Sequence, residues 1–173
     1  GSIHADAEDA EARLRASAKD LEEHRFVVRH LLERLAPLCA SVEMPATPAI
    51  KRLPNVLHLH TPVRAVLHEG VHACALVEAL HPTPAVCGTP STAASAWIAE
   101  NEPGRGWYGG VVGWIDASGD AELIVALRCG VVRGASAWLW AGGGIVEGSE
   151  PEAEWIETQS KLRPVLEALG GET

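Results

Sequence analysis

The stretch that decides the fold covers residues 107–141 and reads WYGGVVGWIDASGDAELIVALRCGVVRGASAWLWA. It contains three segments rich in β-branched and aromatic residues, at 107–115, 123–132 and 137–141. The turn-forming residues Ser118-Gly119-Asp120 and Arg133-Gly134 separate these segments. Short strands joined by such turns are typical of an antiparallel meander. We therefore predict a meander here.

Helical patterns lie on both sides of this stretch. Residues 6–38 are rich in Ala, Leu, Glu and Arg with apolar residues at helical spacing, which predicts a helix that Pro37 ends. Further helices are predicted over 71–80, 92–100 and 151–169, a strand over 56–60, and a proline-rich connection at 44–48. The pattern as a whole predicts an α+β chain.

Length, composition and charge limit the class of protein. The 173 residues suit one compact domain, and 47% hydrophobic with 21% charged residues are typical of a soluble globular chain. No apolar run reaches the ~18 residues of a membrane helix, and no signal-peptide pattern begins the chain, so we expect a cytoplasmic protein without a membrane partner. The net charge of −9 repels polyanions, which disfavours a nucleic-acid partner.

The cysteines and histidines give little support for a zinc-type site. Four widely spaced cysteines form no Cys-x-x-Cys pair, and we expect them to be buried thiols. His58 and His60 would share one face of a strand, but no acid lies near them in the sequence. A histidine-based metal site is therefore disfavoured.

A polar stripe on the last predicted helix is a candidate site. Glu154, Glu157 and Lys161 follow at i, i+3 and i+7, which places them on one helix face. Spacing alone favours a solvated face with an acid–lysine pair. The alternative is a hard-cation site, because two carboxylates one turn apart supply the oxygen ligands that Mg²⁺ prefers. Just before this helix, Gly142-Gly143-Gly144 predicts a tight turn or a close approach to a ligand.

The order of five segments extends this interpretation. They read HPTPAVCGTP at 81–90, YGGVVGW at 108–114, VALR at 125–128, AGGGIV at 141–146 and SEPEAEWIETQSK at 149–161. In this order they resemble the chorismate-utilising enzymes, from about Ser17 to Leu169. That family stacks two antiparallel sheets with helices outside, and each half of its chain contributes strands. The resemblance implies that residues 1–173 are the C-terminal portion of a single chorismate-binding domain.

Within the family, the chain is most similar to the isochorismate synthases. These typically have the Leu-His-Pro-Thr-Pro-Ala that stands here at Leu80–Ala85, whereas anthranilate, aminodeoxychorismate and salicylate synthases usually have Phe-Pro at its start and Thr at the place of Ala85. Tyr108 departs from this pattern, because isochorismate synthases often have Phe there and salicylate synthases Tyr. Salicylate synthase therefore stays an alternative.

The resemblance also implies a magnesium site. Glu22-Glu23-His24 matches the family's Glu-His pair on its long helix, which makes Glu23 a ligand. Glu157 would be the second ligand, and Glu154 a close or water-mediated third.

Further positions match substrate-binding residues of the family. Arg128 resembles the arginine that grips the enolpyruvyl carboxylate, and it would stand in an apolar strand, where an unpaired charge is costly. Gly142 would offer its backbone N–H to the same carboxylate, and Lys161 would bind a carboxylate. His58 matches a family histidine, although a core histidine is an equal interpretation.

Four other residues complete the predicted substrate site. Ala85 and Tyr108 belong to it through the motifs that carry them. Gly1-Ser2 matches the family's Gly-Ser/Thr element, whose backbone contacts the substrate, but a cloning remnant would read the same.

The implied reaction is Mg²⁺-dependent conversion of chorismate to isochorismate, in a menaquinone or siderophore pathway. Water adds at C2 and the C4 hydroxyl leaves, with a lysine as general base and a glutamate as general acid. Both normally lie upstream of the residues matched here, so an N-terminal half of the enzyme is an expected partner and the isolated chain could be inactive. A non-catalytic fragment or paralogue that binds chorismate-like anions is the alternative.

Overall fold

The computed structural model describes residues 2–4, 8–53 and 56–170, which belong to two compact units, Gly1–Ala85 and Val86–Thr173. Both units contain helices and small antiparallel sheets, so the chain is α+β, as predicted. The assignment of residues 1–173 to one domain stays a prediction.

The N-terminal unit combines three helices with two small sheets. Its elements are β1 (Ser2–His4), α1 (Ala10–Ala16), α2 (Ala18–Leu35), a 3₁₀ turn (Ala36–Leu38), β2 (Cys39–Glu43), β3 (Ala49–Arg52), β4 (Val56–His60), β5 (Arg64–Leu67) and α3 (Ala73–Leu80). One antiparallel sheet has the order β1-β4-β3, and β2 pairs with β5 in the other.

The core of this unit lies between α1 and the central strand β4. Leu57 and Leu59 point to one face of β4 and are buried with Ala10 and Leu14 of α1. Because side chains alternate along a strand, His58 and His60 occupy the opposite face. The strand predicted over 56–60 and the shared face of its histidines are therefore confirmed.

The single helix predicted over 6–38 is divided in the structure. Ser17 adopts an extended conformation between α1 and α2, and its hydroxyl accepts a hydrogen bond from the Asp20 backbone N–H at 3.2 Å. This is the geometry of an N-cap, which competes with the helix-forming tendency of the surrounding residues. Pro37 lies in the 3₁₀ turn after α2, so the predicted end is confirmed. The strands β2, β3 and β5 were not predicted.

The C-terminal unit contains two β-hairpins and two helices. Its elements are α4 (Ser91–Asn101), β6 (Val111–Ile115), β7 (Ala121–Val125), β8 (Cys129–Arg133), β9 (Ser136–Trp140) and α5 (Pro151–Ala168). The pairs β6–β7 and β8–β9 are antiparallel. The predicted meander is wrong in one respect, because β7 and β8 do not pair within residues 86–170.

The break between the hairpins has a local cause. Ala126 exchanges backbone hydrogen bonds with the turn before β6, accepting from Gly109 and donating to Gly110 at 2.8 Å each. Arg128 then adopts a left-handed conformation with φ of 50°. The segment predicted as one strand over 123–132 is therefore two strands joined by a bend.

The last helix agrees with its prediction except at its cap. Pro151 occupies the first turn, as the sequence suggested. Glu150 is the N-cap residue, and the Ser149 hydroxyl instead accepts from the backbone N–H of Val146 at 3.1 Å.

The cysteines are free thiols, but they are not all buried. Cys39 is buried, Cys87 and Cys129 are half-buried, and Cys74 is exposed, so the prediction is wrong for Cys74. Within the described residues, no helix has the length and apolar character needed to cross a membrane.

Candidate active site

The predicted site residues divide between the two units. Glu23, His58 and Ala85 belong to the N-terminal unit together with Gly1 and Ser2, and the other six lie in the C-terminal unit: Tyr108, Arg128, Gly142, Glu154, Glu157 and Lys161. Gly1 and the Ser2 side chain lie outside the part that the structure describes.

The stripe on α5 forms the best-defined part of the site. Lys161 Nζ lies 2.9 Å from Glu157 Oε1 and donates to the carbonyl oxygen of Gly142 at 3.0 Å. The Lys161 and Glu157 side chains are only 20% and 32% exposed. Glu154, one turn earlier, is buried. The acid–lysine pair is therefore present, but it is partly buried against the loop after β9 and is not a solvated face.

The glycines after β9 are needed for space, not for backbone conformation. Gly142 and Gly143 are not among the residues with positive φ. A Cβ on Gly142 would lie 2.9 Å from the Tyr108 hydroxyl, and a Cβ on Gly143 would lie 3.0 Å from Glu154 Oε2. Both distances are tighter than a Cβ normally tolerates. The chain's own side chains make these close contacts, and the predicted approach of a ligand to this loop stays a prediction.

Tyr108 lies in the turn that precedes β6. Its backbone N–H donates to the Arg105 carbonyl at 2.9 Å, and its ring centroid lies 5.8 Å from the Arg105 guanidinium carbon. Burial raises the pKa of the Tyr108 phenol above its ordinary value of 10.0, while the Arg105 charge opposes the rise. The phenol is therefore a neutral hydrogen-bonding group at physiological pH.

Arg128 is not in a strand, contrary to the prediction. It is half-buried in the bend before β8, with φ of 50°. Within the described residues its guanidinium has no hydrogen bond or ion pair. Cys129 pairs with Trp140, so Arg128 stands at the same end of the β8–β9 hairpin as the loop that contains Gly142. Left-handed conformations of non-glycine residues are often found at functional sites.

The N-terminal unit brings other predicted residues together. Ser2 and His58 are register partners in the β1–β4 pair, and His58 also pairs with Lys51 of β3. Glu23 lies on α2 beside His24, whose Nε2 is 2.8 Å from the Thr61 hydroxyl oxygen. Burial lowers the pKa of His24, with a smaller effect from the nearby His60. α2 is thus anchored at the end of β4. Ala85 is exposed in a turn.

Comparison with known proteins assigns the family. The family described as "Chorismate binding enzyme" matches residues 1–170. The chain belongs to this chorismate-binding family. The family and the fold implied by the sequence resemblance are therefore confirmed.

Individual family members are similar over nearly the whole chain. Isochorismate synthase MenF of Bacillus subtilis (strain 168) is 45% identical over 155 residues, which is 89% of this chain and 33% of that protein. A crystal structure of DhbC from Bacillus anthracis is 38% identical, with a TM-score of 0.91 over 99% of this chain and 48% of the other. Anthranilate synthase component I of Streptococcus pneumoniae is 29% identical, with a TM-score of 0.81 over 94% of this chain and 38% of the other. The fold is thus common to members with different named activities.

The chain spans a third to a half of the length of these family members. The activity, substrate and partners of the whole protein are therefore proposals for this chain.

The acids of α5 are the candidate magnesium ligands of the C-terminal unit. Across the described residues, no three His, Cys, Asp or Glu side chains form a group that could hold a metal. Mg²⁺ usually needs only one or two carboxylates, with water and an anionic ligand in its other positions. Glu154, which is buried, and Glu157, which is partly buried one helical turn later, fit that requirement by their donor chemistry.

Two residues of the site were missed in the sequence. Arg105 donates to both carboxylate oxygens of Glu102, at 2.7 and 2.9 Å, and to the Val86 carbonyl at 2.6 Å. The i, i+3 spacing of an acid and an arginine just before Tyr108 was the available signal.

Proposed function

We propose that the chain supplies the C-terminal part of an isochorismate synthase that converts chorismate to isochorismate with Mg²⁺. One observation carries the proposal: Arg128 is half-buried, its guanidinium has no partner among the described residues, and it shares a hairpin end with Gly142, which Lys161 contacts. Two cations beside one loop suit a small dicarboxylate. The named activity of the Bacillus subtilis relative supports the choice of reaction.

Each residue has a role that follows from its chemistry. Arg128 binds the enolpyruvyl carboxylate through two parallel hydrogen bonds, which a planar guanidinium provides. The Gly142 backbone N–H donates to the same carboxylate. Lys161, held by Glu157 and the Gly142 carbonyl, adds a positive charge that offsets the net charge of −9.

Carboxylates of α5 would hold the magnesium ion in the C-terminal unit, and Glu154 and Glu157 are the proposed ligands there. Glu23 of the N-terminal unit stays a ligand that the family resemblance implies. When bound, Mg²⁺ would supply a positive charge that stabilises the carboxylate on the substrate ring. Glu157 contacts Lys161 directly, so the ion and the lysine would share one carboxylate.

The reaction needs groups that we place outside this chain. Water is added at C2 of the ring and the C4 hydroxyl leaves as water after protonation, so the net change is an isomerisation. A lysine that takes the proton of the attacking water and a glutamate that protonates the leaving hydroxyl would come from an N-terminal half. The chain alone should therefore bind chorismate without converting it.

Exposed apolar side chains support the need for that half. Val112 and Ile124 are opposite each other in the β6–β7 hairpin and are 41% and 61% exposed. Val131 and Trp138 are opposite each other in the β8–β9 hairpin and are 45% and 52% exposed. Apolar pairs on both hairpins are typical of surfaces that pack against further protein.

Complementation tests the proposed function. The purified chain is incubated with chorismate and Mg²⁺, alone and together with the N-terminal portion of the Bacillus subtilis relative, and the products are separated by chromatography. We expect isochorismate only from the mixture, and none when the chain carries Arg128→Met. An Arg133→Met chain is the control, because Arg133 is exposed at the other end of the same hairpin.

Tyr108 favours a second candidate activity, which the same experiment distinguishes. Salicylate with pyruvate as the product would identify a salicylate synthase, which the tyrosine at this position favours. Binding of chorismate by the chain, with no product from any mixture, would identify a non-catalytic binding protein.

A further inference from the structure

Arg105 contacts three residues of the C-terminal unit, two in its own loop and one, Val86, distant in sequence. Two of its nitrogens donate to Glu102, just after α4, and a third donates to the Val86 carbonyl at 2.6 Å. The guanidinium also lies 5.8 Å from the centre of the Tyr108 ring. The pKa of Arg105 is raised above its ordinary value, and the hydrogen bond to Glu102 is the largest cause. The guanidinium is thus charged and fixed from several sides.

Tyr108 transmits this fixed position to the candidate site. Its ring is beside Arg105, and its hydroxyl fills the space next to Gly142 that a Cβ would need. The carbonyl of Gly142 in turn accepts from Lys161. A continuous series of contacts therefore joins Glu102 and Arg105 to the loop proposed to bind the substrate carboxylate.

We propose that Arg105 is a positioning residue, which holds Tyr108 against Gly142 and so sets the location of the Gly142 backbone and Lys161. This inference rests on the proposed function, because it assigns Arg105 a task in the chorismate site. Arg105 itself binds no substrate. A surface ion pair with no further partners would contribute little, but the third hydrogen bond and the ring contact give Arg105 a defined geometry.

A titration of the phenol tests the positioning role without substrate. Tyr108 is the only tyrosine in the sequence, so tyrosinate absorbance reports this residue alone. In Arg105→Gln, loss of positive charge by itself would raise the pKa of Tyr108, since Arg105 lowers it. Loss of position has the opposite effect, because a hydrated phenol returns towards 10.0. We expect the pKa of Tyr108 to fall.

Matched variants make the result specific. Arg15→Gln is the control: Arg15 also donates through two nitrogens to an acid, Glu11, but in an exposed contact of the N-terminal unit, and its loss should leave the phenol titration unchanged. Arg105→Lys keeps the charge but cannot form the forked contact, so it should also lower the pKa of Tyr108. Should the Gln variant unfold by circular dichroism, the Lys variant decides.

A rise or no change in the pKa of Tyr108 in the folded variants would overturn the positioning role. Binding is measured separately: we expect chorismate to bind roughly 10- to 100-fold more weakly to Arg105→Gln, as for other residues that orient a binding group. If the parent chain does not bind chorismate, the proposed function fails, whereas the phenol titration still decides whether Arg105 holds Tyr108.

Discussion

Lys161 on α5 and Gly142 in the loop after β9 are joined by a hydrogen bond in which Nζ donates to the carbonyl oxygen at 3.0 Å. The same ammonium pairs with Glu157 at 2.9 Å. One side chain therefore connects the last helix to the end of a hairpin, and its charge is directed to the loop proposed to bind substrate.

Replacement of Lys161 by Met should destabilise the chain and weaken binding. The variant loses a hydrogen bond and leaves the partly buried Glu157 carboxylate without its ammonium, at a cost of about 1–3 kcal/mol. Urea unfolding measures the stability, and calorimetry measures chorismate binding. Arg163→Met is the control, because Arg163 is exposed on the same helix. Equal chorismate affinity in Lys161→Met and the parent would exclude Lys161 from the site.

Replacement of Glu157 by Gln separates the magnesium role from folding. The amide keeps the size of the side chain and can still accept from Lys161, so the fold should persist, but the charge that attracts Mg²⁺ is lost. We expect Mg²⁺ to tighten chorismate binding by about tenfold or more in the parent and not in Glu157→Gln. Glu152→Gln, on an exposed position of the same helix, should behave as the parent does.

The decisive readout is the difference between titrations with Mg²⁺ and with EDTA. An unchanged magnesium effect in the Gln variant would contradict the assignment of Glu157 as a ligand. A lost effect in both Gln variants would indicate a general charge effect of α5 and would contradict it as well.

Local patterns predicted much of the fold and of the C-terminal site. Pro151 and the early acids located α5 almost to the residue, and helical spacing alone brought Glu157 and Lys161 together. These features depend on residues within one or two turns of each other, which a sequence displays directly.

Features that depend on distant residues were not predicted. The β2–β5 pair depends on partners that no local pattern identifies, and Ser17 interrupts a helix-forming segment by capping the next helix. The segment around Arg128 has the composition of a strand, but the hydrogen bonds of Ala126 with the turn before β6 bend the chain there. The sequence also could not show why residue 142 is glycine, because the Tyr108 hydroxyl that occupies the place of a Cβ at residue 142 comes from a distant turn.

The partly buried phenol of Tyr108 predicts a stability change at alkaline pH. The pKa of Tyr108 is raised in the folded state, so its contribution to stability is fully present below the unfolded value of 10.0 and is lost as pH rises through the folded value. Tyr108→Phe has no such proton. Urea unfolding at about pH 8 and about pH 11 should show a larger loss of stability for the parent than for Phe. Equal losses would contradict the shift.

The contact of Tyr108 with Gly142 predicts that Gly142→Ala destabilises the chain and that Tyr108→Phe restores part of the lost stability. In Gly142→Ala the new Cβ would lie 2.9 Å from the phenol oxygen, so the loop or the ring must move, at a cost of about 1–3 kcal/mol. Removing the hydroxyl in Tyr108→Phe leaves the ring carbon Cζ at 3.9 Å, an ordinary contact. The double variant should therefore be more stable than Gly142→Ala alone, with a coupling energy of about 1 kcal/mol or more in a double-mutant cycle.

Gly104→Ala is the control for this cycle. A Cβ there meets no atom within 4 Å, and Gly104 is not among the glycines with positive φ, so the methyl group should be tolerated with or without the Tyr108 hydroxyl. Chemical denaturation of the parent, the three single variants and the two double variants gives the unfolding free energies that both cycles need. A coupling near zero between Gly142→Ala and Tyr108→Phe would show that the hydroxyl does not occupy this space, and the series of contacts from Arg105 to the Gly142 loop would then be broken at Tyr108.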